Sequence, residues 1–123
     1  MICQNLALFF KENLGLKRPF IVGNPEMPCS EIALLLGASG GRNQIGMLTK
    51  DQCDVMVVGE VAEWETSEYI RDATFAGMNR SLIILGHAAS EEPGMSYLVE
   101  WLKPIIPSVP IHHLPAQDPF ILV

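Results

Sequence analysis

His87 and Glu91, with Glu60 upstream, are the residues of this chain whose types and spacing suit chemistry. An imidazole nitrogen and a carboxylate oxygen can bind one divalent cation at about 2.0–2.2 Å. Two ligands are fewer than the three or four that zinc sites commonly draw from protein. Spacing alone therefore favours a plainer alternative, a hydrogen-bonded histidine at a strand end followed by an ordinary first-turn glutamate. Glu60 follows Gly59 and could orient a ligand or act as general base on a metal-bound water. Glu63 and Glu65 compete for that role, and an acidic cluster on a solvated loop is the alternative for all three.

Other groups carry weaker signals. Gly37-Ala38-Ser39-Gly40-Gly41 could cradle a phosphate with backbone N–H groups. It lacks both the Lys-Ser/Thr ending of a P-loop and the spacing of a dinucleotide fingerprint, so a strand-to-helix turn is the expectation, and nothing supports Ser39 as a nucleophile. Adjacent His112 and His113 fall in a segment that reads as a strand. Successive strand side chains point to opposite faces, so the pair cannot easily share an ion, and one of them should be exposed. Trp64 and Trp101 are expected to pack in the core or at an interface.

The elements that must position these groups follow from periodicity. Ile2, Leu6, Phe9, Phe10 and Leu14 approximate a helical stripe, closed by Gly15. Pro19 to Val22 reads as an edge strand or strand start, and Gly23-Asn24-Pro25 as a turn. Ile32 to Leu36, Asp54 to Val58 and Ser81 to Leu85 are apolar runs that read as buried strands. Helices are expected over Asn43 to Asp51, with Ile45 and Leu48 inward, and over Trp64 to Ala76, with Ile70 and Ala73 inward and Gly77 closing. Ser90 reads as the N-cap of a last helix, with Glu91, Glu92 and Pro93 in its first turn. Met95, Leu98, Val99 and Leu102 line one face of that helix, which Pro104 and Pro107 end. Val109 to Leu114 reads as a final strand. Strands alternating with helices predict an α/β fold, a single domain over residues 1–123 whose mainly parallel sheet is flanked by helices in three layers. The glycine loop, Glu60 and His87 then share one sheet edge, where ligands bind in such folds.

Gly86-His87 followed by Ser90-Glu91 and Pro93-Gly94 resembles the C-terminal metal motif of the NIF-three-like proteins. These are also known as dinuclear-metal-centre hexameric proteins or GTP cyclohydrolase I type 2 homologues. The likeness extends to Gly37–Gly41, to Gly59-Glu60 with Trp64-Glu65, and to Asp118-Pro119-Phe120. It implies that His87 and Glu91 are metal ligands and that the carboxylate of Glu60 faces the metal crevice. It further implies a metal-dependent, cyclohydrolase-like hydrolase with an unknown small substrate, working as a homo-oligomer, a hexamer in the family. Zinc, iron, manganese and nickel suit these ligand types about equally, and a dinuclear centre is implied by the family. Full-length members are about twice as long, and their N-terminal half supplies a His-His pair and an Asp. The chain therefore resembles the C-terminal half only, with part of the metal site; the rest would come from a separate N-terminal half, lie upstream, or be lost. A non-catalytic assembly or regulatory module acting through oligomerisation is the alternative function.

The 123 residues carry a formal net charge of −6, with 49% hydrophobic and 18% charged residues. That composition suits a globular core rather than a disordered chain. No basic patch stands out, which argues against nucleic acid as a partner. Cys3, Cys29 and Cys53 are odd in number and show no zinc-type spacing, so buried or free thiols in a reducing cytoplasm are expected. Lys11 and Glu12 interrupt the N-terminal apolar stretch, unlike a signal peptide, and no run is long enough to span a membrane.

Overall fold

The structure is a computed structural model that describes residues 1–50, 53–121 and 123. Val55-Met56-Val57-Val58 has no polar face to offer water, and it forms the centre of the sheet, buried on both sides. The elements run α1 (Cys3–Leu14), β1 (Phe20–Gly23), β2 (Ile32–Leu35), α2 (Gly41–Thr49), β3 (Val55–Val58), a π-helical turn (Glu63–Ser67) continuing into α3 (Glu68–Phe75), β4 (Ser81–Ile84) and α4 (His87–Leu102). The four strands lie in the order β1-β4-β3-β2. β2, β3 and β4 are parallel, and β1 is an antiparallel edge strand with Phe20 opposite Ile84.

Alternation divides the core into two halves. Val55, Val57 and Ile83 point to one face, where Cys3, Leu6 and Ala7 of α1 cover them. Met56, Val58 and Leu82 point to the other, against Leu48 of α2 and Ile70 of α3. The result is the expected three-layer α/β arrangement. α1 stops where Gly15 takes a left-handed backbone (φ 63°) and returns its N–H to the Lys11 carbonyl, because a side chain at that φ would be strained.

Several local expectations are corrected. α4 begins at His87, not after Ser90, so Ser90 lies inside the helix and Pro93 sits at the seventh helical position rather than in the first turn. α2 buries Gln44 with Leu48, while Ile45 is only half-buried; the expected helix end at Asp51 lies outside the described residues. The helix expected from Trp64 opens instead with the π-helical turn. No strand forms over Val109 to Leu114; Pro110 removes one of its N–H donors, and among the described residues no neighbouring strand lies alongside to pair with it. The Met95, Leu98, Val99 and Leu102 face does not enter the core, since Ser90 is the one buried residue described in α4. Trp64 and Trp101 are 74% and 55% exposed, so neither packs in the core.

Candidate functional site

Three loops leave the same edge of the sheet. The first follows β2 and holds Gly37–Gly41, the second follows β3 and holds Glu60, and the third is the short turn from β4 into α4 at Gly86. Backbone bonds register them: Gly86 N–H donates to the Gly59 carbonyl at 2.9 Å, and Glu60 N–H donates to the Gly37 carbonyl at 3.2 Å. The fit is too close for a side chain at Gly59. A Cβ there would stand 2.5 Å from the nitrogen and the oxygen of Gly37 and 2.6 Å from Ser90 Oγ. At Gly37, itself at φ 62°, a Cβ would run into the Glu91 carboxylate.

This registration brings Glu60, His87 and Glu91 together, as the sequence reading expected. His87 opens α4, and Glu91 stands one turn on along the same face. His87 Nδ1 lies 2.9 Å from Glu60 Oε2, and Nε2 lies 3.0 Å from Glu91 Oε2. The hydrogen bond with Glu60 raises the His87 pKa above its ordinary value; desolvation opposes it, and the charges of Glu91 and Glu60 add to the rise. An imidazolium can donate to both carboxylates at once, whereas neutral imidazole donates from a single nitrogen.

Neighbouring groups fall into place around this trio. Glu63 and Ser67 line a cleft of about 1190 Å³ that opens between β1, α3 and the start of α4 and reaches Glu60 and His87. Glu65 instead lies against Gly41. Lys17, Arg18 and Phe20 reach the cleft because antiparallel β1 begins at this edge; the sequence reading missed them, having no signal for the direction of β1. Asp118 and Phe120 border the cleft too, held by a 2.8 Å bond from Lys17 Nζ to the Phe120 carbonyl. His112 is exposed, and His113 lies 2.7 Å from Glu92, away from His87. The glycine loop is the strand-to-helix turn expected, with the N–H of Gly37 already taken by Ser90.

The donor types of His87 and Glu91 fit a divalent cation, and a carboxylate on the remote imidazole nitrogen is the usual way a metal-binding histidine is oriented. Their number does not complete a shell. Among the described residues, no group of three or more His, Cys, Asp and Glu side chains is arranged to hold a metal ion.

Residues 1–119 match the family model of Duf34/NIF3 (NGG1p interacting factor 3). The chain belongs to the Duf34/NIF3 family. Solved structures agree on the fold. A Bacillus cereus protein related to NIF3 superposes over all of this chain with a TM-score of 0.78 at 22% identity. The Staphylococcus aureus protein SA1388 does so with a TM-score of 0.73 at 20% identity. This chain spans 33% of the first protein and 39% of the second. No match was found among curated proteins. Among the described residues of this Duf34/NIF3 chain, no helix is long and apolar enough to cross a membrane.

Proposed function

We propose that this chain supplies one side of a divalent-metal centre serving hydrolase-type, cyclohydrolase-like chemistry on a small phosphorylated or heterocyclic substrate. One observation carries the reading: His87 Nε2 and Glu91 Oε2 stand 3.0 Å apart at an open sheet edge, while Glu60 engages the remote nitrogen of the same ring. His87 and Glu91 are the ligands, and the metal is zinc, iron, manganese or nickel, alone or in a dinuclear centre. When bound, such an ion lowers the pKa of a coordinated water and polarises the scissile centre. Glu60 accepts a hydrogen bond from Nδ1–H, which fixes the ring and leaves the Nε2 lone pair for the metal. The remaining ligands come from outside these residues, in a homo-oligomer or on a complementary half. A cytoplasmic setting suits the three free thiols.

Metal titration by calorimetry, with zinc and with manganese, of the chain together with the partner half that supplies the remaining ligands tests the reading. His87→Ala and Glu91→Ala should abolish uptake, and Glu60→Gln should weaken it about 10–100-fold, as loss of an orienting partner does. Metal content unchanged by His87→Ala and Glu91→Ala would end the assignment.

A second reading is supported by a different observation. Tyr97 and Trp101, one turn apart on α4, and Ile105 just beyond its end are all more than half exposed. Large apolar surface of this kind marks contact sites, and it fits an assembly or regulatory module acting through oligomerisation without catalysis. Size-exclusion profiles across a concentration series, beside a hydrolysis screen with added metals, separate the two.

A further inference from the structure

Gln44 is fully buried on α2, at a position where the helical period would place an apolar side chain. A primary amide in such a place is costly unless every polar atom is paired. Each one is: the side-chain nitrogen donates to Ser39 Oγ and to the Glu60 carbonyl, both at 3.0 Å, and Thr66 Oγ1 donates to Oε1 at 2.6 Å. The orientation of the amide is fixed by this set, because the Glu60 carbonyl can only accept. The Glu60 backbone is thereby held on both sides of its Cα, by Gln44 at its carbonyl and by the Gly37 carbonyl at its N–H. The carboxylate of the same residue holds His87 Nδ1.

We propose that Gln44 is a positioning residue for the His87 site: by fixing the Glu60 backbone from inside the core, it aims the Glu60 carboxylate at Nδ1 and so favours the Nδ1–H tautomer over the Nε2–H tautomer that Glu91, 3.0 Å from Nε2, would favour. The proposal rests on the reading of His87 as a working group, but its physical content, the coupling from Gln44 to the His87 ring, can be measured without metal.

Two near-isosteric variants separate positioning from packing. Gln44→Met removes the grip on Glu60. Thr66→Val removes a hydrogen bond from the same network and leaves that grip in place. Both should lower the melting temperature. Nitrogen-15 NMR of the His87 ring, at a pH where it is neutral, should show the wild-type share of the Nδ1–H tautomer kept in Thr66→Val and reduced at least about twofold in Gln44→Met, where the proton passes to Nε2 beside Glu91. A Gln44→Met protein that melts cooperatively yet keeps the wild-type tautomer overturns the proposal, as does Thr66→Val shifting the ring equally. Should Gln44→Met fail to fold, the wild-type chain still decides: the Gln44 side-chain amide protons should show close contacts to Glu60 and a single restrained pair of resonances, and a freely averaging amide overturns the proposal. Metal titration of His87→Ala tests the functional reading separately, so failure of one leaves the other measurable.

Discussion

Gly37 and Ser90 are joined across 53 positions of sequence by a buried hydrogen bond of 3.0 Å, from the Gly37 N–H to the Ser90 hydroxyl. The same hydroxyl donates to the His87 carbonyl at 2.8 Å, so one oxygen ties the glycine loop to the first turn of α4. Ser90→Ala leaves the Gly37 N–H without a partner, and a buried donor in that state costs about 1–3 kcal/mol. Urea unfolding should show this loss as a lower midpoint at unchanged slope. A change below about 0.5 kcal/mol, the usual range for inconsequential surface substitutions, would show that the bond is replaced by water.

Two glycines should respond to alanine with opposite signs. At Gly59 the new methyl meets backbone atoms of Gly37 at 2.5 Å, and backbone cannot withdraw as a flexible side chain can. Overpacking of this kind destabilises by about 1–3 kcal/mol. Gly46, inside α2, has nothing within 4 Å of the position a Cβ would take. Gly46→Ala should stabilise by about 0.5–1 kcal/mol through lower backbone entropy of the unfolded chain. Thermal melts of the two variants side by side provide the check.

Alkaline pH should weaken the fold through Cys3. Burial, and then the neighbouring Cys29, push its thiol from 9.0 up to about 11. The folded-state pKa is thus the higher one. Its contribution is intact below about pH 9 and is lost as pH rises through 11, because the unfolded chain releases the proton first. A shift of this size corresponds to roughly 3 kcal/mol at most. Denaturant unfolding at stepped pH should trace the decline, and Cys3→Ala should make it shallower, leaving the share of Cys29 and Cys53, whose thiols burial also pushes up.

Trp101 offers a reporter for assembly. In Trp64→Phe it is the remaining tryptophan, and at 55% exposure it should be readily quenched by iodide in dilute solution. If the outer half of α4 is a contact surface, emission should move to the blue and quenching should fall as concentration rises. Constant spectra across a wide dilution series would count against assembly through this helix.

Legibility of this fold followed the range of the forces involved. β3 was readable because four consecutive apolar residues admit no other placement, and the end of α1 was readable because Gly15 is a local signal. Glu60 and His87 were readable from the topology that puts strand ends on one edge, and Glu91 from its spacing to His87 and the family resemblance. What escaped depended on partners distant in sequence. Ser90 carries the local signature of a helix cap, yet its hydroxyl is spent on Gly37 and His87, and α4 starts three residues earlier. Gln44 looks like a surface residue until Thr66 and the Glu60 carbonyl close around it. Val109 to Leu114 alternates like a strand, but alternation does not supply a neighbouring strand to pair with.

The reversed direction of β1 gives the sheet one crowded rim and one vacant rim. Lys17 and Arg18 precede β1 on the side where β2, β3 and β4 end, so all three candidate groups share that side with the entry to β1. The opposite rim carries the turns around Asn24 and Asn79, remote from His87. New chain termini or a grafted domain opened at the Met78-Asn79 turn, whose residues are exposed, should therefore leave the arrangement of Glu60, His87 and Glu91 intact, as surface turns of this sort accept permutation and insertion. The same cut in the Gly37–Gly41 loop would sever the frame on which those three residues depend.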